Sequence, residues 1–109
     1  MELEKKIFTY QTAFNNKDLL KLEQLFADNI TLKDWEINVN GKQKVLEANK
    51  KIFNSVKSIN SKTVNNYFFD NIAICVLKIT INQNEIIDVV DIVEFDDEGK
   101  ILNITAYKG

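Results

Sequence analysis

The side chains in this sequence that could do chemistry are few. There is no histidine and no arginine, so a Ser-His-Asp or Cys-His arrangement and a His-ligated metal site are excluded, as is guanidinium recognition of phosphate or carboxylate. Three glycines form no phosphate-loop or dinucleotide pattern. What remains is Asp, Glu, Lys, Tyr and the single Cys75. Among these, three groups stand out because they sit in apolar company. Asp91 lies in Glu85–Phe95, a stretch rich in β-branched residues, where Ile87, Val89, Val93 and Phe95 share its phase. Asp34 continues the apolar phase of Ile30 and Leu32. Tyr10 falls on a helical stripe with Leu3, Ile7 and Phe14. An ionised, unpaired carboxylate on a buried face is costly, so Asp91 must be paired, protonated or open to a cavity.

The elements that must position these groups can be read along the chain. Glu2 to Asn15 reads as an amphipathic helix, broken by Asn15-Asn16-Lys17. Asp18 is placed to cap a second helix, Leu19 to Phe26, with Leu19, Leu22, Leu25 and Phe26 inward. Ala27-Asp28-Asn29 reads as a turn, Ile30 to Ile37 as a strand, and Asn38 to Gly41 as a loop. Lys42 to Val56 reads as a third helix, with Val45, Leu46, Ile52, Phe53 and Val56 on one face and Asn49 within that stripe. Four strands follow: Ile59 to Phe69, Ile72 to Ile81, Glu85 to Phe95 and Ile101 to Tyr107. Short turns join them and require antiparallel neighbours. Asp96-Asp97-Glu98 is expected to be a solvated hairpin tip, with Gly99 in its left-handed position. Cys75 reads as packing. Helices first and strands afterwards give an α+β fold with helices on one face of an antiparallel sheet.

Bulk properties bound the rest. The 109 residues fit one domain, 1–109, and 45% hydrophobic residues allow one core. The net charge of −2 and scattered lysines leave no nucleic-acid footprint. No apolar run reaches the length needed to span a bilayer, and the charged start carries no signal-peptide pattern, so a cytoplasmic protein is expected. The second and third of the four strands are apolar on both faces. Ile74, Val76, Ile86, Val90 and Ile92 therefore need a cover, and a homodimer through the outer sheet face is expected.

Three stretches carry a resemblance. They are Tyr10-Gln11-Thr12-Ala13-Phe14-Asn15, Leu25-Phe26-Ala27-Asp28-Asn29-Ile30-Thr31-Leu32-Lys33-Asp34, and Val90-Asp91-Ile92-Val93-Glu94-Phe95 followed by Asp97-Glu98-Gly99-Lys100-Ile101. In this order the chain resembles the SnoaL-like branch of the nuclear transport factor 2 superfamily, and within it the ketosteroid isomerases. The resemblance implies a cone: three N-terminal helices packed on a curved antiparallel sheet, with a pocket between them. It also implies roles. Asp34 matches the general base, Tyr10 the phenol that hydrogen-bonds the substrate carbonyl, and Asp91 the protonated acid that donates the second hydrogen bond. The reaction implied is cofactor-free proton transfer on a small, apolar, enolisable carbonyl compound. Trp35, Asn49, Phe53, Tyr67, Phe69 and Val93 are expected to contact the ligand. Trp35 stands where the isomerases have proline, and Asn49 roughly where some have a supporting tyrosine, so a steroid is not implied. The missing arginine excludes the Asp-Arg-Asp arrangement of epoxide hydrolases. A non-catalytic ligand-binding or dimerisation module on the same fold is the alternative.

Overall fold

A computed structural model describes residues 2–109. Helix α1, Glu2–Asn15, opens with Glu2 and Glu4, whose charges complement its positive end, and buries Ile7, Tyr10 and Ala13. Lys17 takes a left-handed φ of 54°, and the backbone N–H groups of Lys17 and Asp18 satisfy Phe14 and Ala13 carbonyls. Asp18 then accepts a hydrogen bond from Lys21 N and starts α2, Leu19–Leu25.

Strand β1 is Phe26–Lys33, so Phe26 opens a strand instead of closing a helix. Its partner is β6, Ile101–Lys108, and the pair is parallel. The ladder is irregular between Phe26 and Thr31, and exposed Asp28 and Asn29 occupy that irregularity. The expected turn there is a bulge in a continuous strand: Ala27 and Ile30 remain buried on either side of it. The strand expected over Ile30 to Ile37 stops at Lys33, and the expected loop contains β2, Asn38–Asn40, which pairs with β1 in antiparallel register.

Helix α3, Lys42–Ser55, begins after Gly41, whose φ of 93° suits glycine. It buries Val45, Asn49 and Phe53. Strands β3 (Ile59–Phe69), β4 (Ile72–Ile81), β5 (Glu85–Phe95) and β6 then form the expected antiparallel meander. Left-handed Asp70 and Gly99 sit in the turns after β3 and β5, and consecutive left-handed Asn82 and Gln83 turn the chain after β4. Asp96 Oδ1 accepts from Glu98 N and Lys100 N, which makes the acidic tip a self-capped hairpin end.

The six strands run in the order β2-β1-β6-β5-β4-β3. Two expectations need correction. The sheet is mixed, because β1 lies parallel to β6. Only two helices precede the first strand; α3 follows β2. The parallel pair joins the first strand to the last, a pairing that short-turn logic does not reach.

One face of the sheet packs beneath the helices. Its register places Phe68, Ala73, Val93, Ile104, Leu32 and Val39 in one row, and Asn66, Cys75, Asp91 and Ala106 in the next. Asn15 ties the end of α1 to the edge strand β3. It accepts from Ser61 N at 2.7 Å and Ser61 Oγ at 3.0 Å, and it donates to Ser61 O at 3.0 Å. No helix among the described residues is long and apolar enough to cross a membrane.

Candidate functional site

Between α1, α3 and the inner sheet face lies a cavity of about 400 Å³. Its walls are chiefly aliphatic: Leu77, Ile79 and Ile81 from β4, Ile87 and Val89 from β5, Ile104 from β6, Leu32 from β1 and Ile52 from α3. Tyr10, Asp34 and Asp91 line this same cavity, although they come from the first helix, the β1–β2 turn and the fifth strand.

Tyr10 is brought there by the buried stripe of α1. Its ring packs tilted against Phe26 at 6.5 Å between centroids, and only 8% of the residue is exposed. Its hydroxyl makes no hydrogen bond among the described residues. Burial, then the charge of Asp91 and lastly Cys75, push its ionisation well above the ordinary tyrosine range. It is therefore a neutral O–H donor at any physiological pH.

Asp91 occupies the middle of β5 between Cys75 on β4 and Ala106 on β6. Neither neighbour is a charge partner, and its carboxyl makes no hydrogen bond among the described residues. Burial first, and the charge of Asp34 second, raise its pKa from 3.8 to about 7. Near neutral pH this acid is therefore available in its neutral form, which can donate a hydrogen bond. Burial and Asp91 likewise push the Cys75 thiol up to about 12, so it stays protonated.

Asp34 lies one residue beyond β1. Its Oδ1 accepts from Glu36 N at 2.7 Å and Ile37 N at 2.6 Å, while its own N–H donates to Ile37 O. These bonds close the β1–β2 turn and hold the carboxylate in one orientation. Oδ2 has no hydrogen-bond partner among the described residues. Asp34 is thus a turn-forming residue and a cavity-lining residue at once.

Of the expected ligand contacts, Trp35 and Asn49 line the cavity. Trp35 carries the ammonium of Lys108 at 5.9 Å from its ring centroid. The other four expected contacts do not line it. Phe53 packs edge-on against Phe14 in the core, 5.3 Å between centroids. Val93 is fully buried in the row beyond Asp91. Tyr67 and Phe69 lie on the opposite sheet face, 54% and 72% exposed. The cause is a bulge in β3 between Thr63 and Asn65. Ile59 and Ser61 face inward before it, and Asn66 and Phe68 after it, so the phase flips. The aliphatic walls were signalled by alternation in β4 and β5. Gln11, Ser55, Glu36, Glu85 and Lys108 also line the cavity, and no local pattern marks them.

A six-stranded mixed sheet and three helices make the frame of the nuclear transport factor 2-like fold, and solved structures agree. The chain is similar to a nuclear transport factor 2-like protein of unknown function from Cytophaga hutchinsonii, with 13% identity, 98% of this chain and 89% of that one covered, and a TM-score of 0.84. It is similar to a proposed isomerase of the SnoaL-like family from Agrobacterium tumefaciens, with 16% identity, 100% and 99% covered, and a TM-score of 0.86. It is also similar to a proposed ketosteroid isomerase from Kribbella flavida, with 14% identity, 98% and 77% covered, and a TM-score of 0.87. The chain has the fold of the SnoaL-like and nuclear transport factor 2-like proteins. Its sequence matches no protein-family model and no curated protein.

Proposed function

We propose that this protein binds a small, mostly apolar carbonyl compound and moves a proton between two of its carbons without a cofactor. One observation carries the reading: the Tyr10 hydroxyl and the Asp91 carboxyl, neither spent on a protein partner, open onto one apolar cavity that Asp34 also lines. Asp34 Oδ2 takes a proton from a carbon beside the carbonyl. The electron pair of that C–H bond moves toward the carbonyl oxygen, giving an enolate. Tyr10 and neutral Asp91 donate hydrogen bonds to that oxygen, and Asp34 returns the proton to a second carbon of the conjugated system. A buried donor of this kind is worth ~10²–10³ in rate. The similar Agrobacterium and Kribbella proteins, a proposed isomerase and a proposed ketosteroid isomerase, accord with isomerase chemistry on this fold.

Mixing the protein with a β,γ-unsaturated ketone should produce the conjugated isomer, read as growing ultraviolet absorbance. Tyr10→Phe should slow it ~100-fold by removing one donor. A wild type inert across enolisable ketones would remove the catalytic reading. A binding-only reading has its own support, because the hydrogen bonds of Asp34 Oδ1 to Glu36 N and Ile37 N account for that residue as a turn former. A wild type that binds such ketones without converting them would select it.

The reading includes a homodimer. On the outer face, register brings Tyr67, Ile74 and Ile92 into one row and Val76, Val90 and Tyr107 into the next. Tyr67, Phe69, Ile74 and Tyr107 are exposed there. A second copy of the same face would cover both rows. Light scattering at micromolar concentration should give twice the monomer mass, and Ile74→Asp should return the monomer. A wild-type monomer mass would end the dimer reading.

A further inference from the structure

Asn49 is the one polar side chain among the described residues that is buried with the core, 6% exposed. It stands mid-helix in α3, between Val45 and Phe53 on the buried stripe. Asparagine is a poor helix former, and burying its amide is costly without partners. Its Nδ2 donates to Val45 O at 3.0 Å, one turn back. That bond fixes the amide orientation, because the reverse would set oxygen against a carbonyl oxygen. Oδ1 is left with no hydrogen bond among the described residues, to Tyr10 or to anything else, yet it is not sealed off as an orphaned buried atom. Asn49 lines the cavity, so Oδ1 is an acceptor offered to whatever fills it.

The charges around the cavity add a second constraint. Among the described residues, Asp34, Glu36, Glu85 and Asp91 line it against the single cation Lys108. This surplus of acid disfavours an anionic ligand. The chiefly aliphatic walls disfavour burying an ammonium as well, so the polar group that meets Asn49 is a neutral donor.

We infer that the substrate is an uncharged compound that carries, besides its carbonyl, a hydroxyl or N–H group, and that Asn49 Oδ1 accepts the hydrogen bond from that group. The inference rests on the enolate reading above and names the substrate class for it. Asn49 acts here as a specificity-determining residue and takes no part in proton transfer.

Naphthols test it, because one hydroxyl mimics an enolate oxygen and a second, placed at different ring positions, samples the reach to Asn49. The wild-type protein is titrated by fluorescence with 2-naphthol and with its 1,6-, 2,6- and 2,7-dihydroxy counterparts. The best diol should bind roughly three- to tenfold more tightly than 2-naphthol, the gain of one net hydrogen bond. The monomethyl ether of that diol, with its remaining hydroxyl placed as in 2-naphthol, has no second donor hydrogen and should show no gain. Asn49→Leu, checked for a native thermal transition, should bind 2-naphthol as the wild type does and lose the preference. Binding of 2-naphthol with no diol preferred, or a preference that survives in Asn49→Leu, would overturn this inference and leave the enolate reading standing. Failure of the wild type to bind any naphthol would overturn both.

Discussion

Asp34→Asn should lower the isomerisation rate of a β,γ-unsaturated ketone by ~10²–10⁴, while leaving the affinity for 2-naphthol within about threefold. The asymmetry follows from what the substitution changes. An amide oxygen can still accept the hydrogen bonds from Glu36 N and Ile37 N that close the β1–β2 turn, so the loop should keep its shape. The amide cannot take a proton from carbon, so the chemical step loses its base. A naphthol needs only the donors Tyr10 and Asp91, which come from α1 and β5. Equal falls in rate and affinity would show instead that Asp34 shapes the cavity and performs no proton transfer. Turnover measured beside fluorescence titration separates the two outcomes.

Asp91→Asn should make the protein more stable than wild type at pH 8 by about 2–4 kcal/mol, and leave the two about equal near pH 4. The sign follows from proton binding. The folded protein holds the Asp91 proton up to about pH 7, whereas the ordinary value for the group is 3.8. Between these values the folded state binds a proton that the unfolded chain does not, so stability falls as pH rises through that window. Above it, the wild type carries an ionised carboxylate in an apolar wall with no partner. The full interval corresponds to about 4 kcal/mol, and water in the cavity reduces it. Asparagine presents a neutral side chain of similar shape, still able to donate. Urea unfolding of both proteins from pH 4 to pH 8 measures the difference. A pH-independent difference, or a variant less stable at pH 8, would mean that Asp91 is paired after all.

Most of the frame was legible in the sequence. The stripe of α1, the buried stripe of α3 and the alternation of β4 and β5 read correctly because each repeats over three or more turns or pairs. The apolar neighbours of Asp91 on its own face were legible too, although both faces of β5 are apolar and alternation alone does not choose the inner one. What escaped was non-local or depended on one extra residue. The β3 bulge moved Tyr67 and Phe69 to the outer face, since a single inserted residue inverts every side chain after it. The parallel pairing of β1 with β6 joins residues about 75 apart, such as Phe26 and Ile101. Asp34 precedes a loop, where Asp often forms a turn through neighbouring backbone N–H groups, and the sequence alone does not separate that duty from a place on the cavity wall. Phe53 and Val93 had the right faces but the wrong depth: the packing of α1 and α3 sets how far the cavity reaches, and alternation says nothing of that.

Carbon-13 NMR titration of the aspartate carboxyls tests the central claim, an acid that keeps its proton to near neutral pH beside an apolar cavity, most directly. One carboxyl resonance should titrate near pH 7, vanish in Asp91→Asn, and move to lower pH in Asp34→Asn as the neighbouring negative charge is removed. If the resonance lost in Asp91→Asn instead titrates near the ordinary value of 3.8, the acid is solvated or paired, and the oxyanion site does not exist.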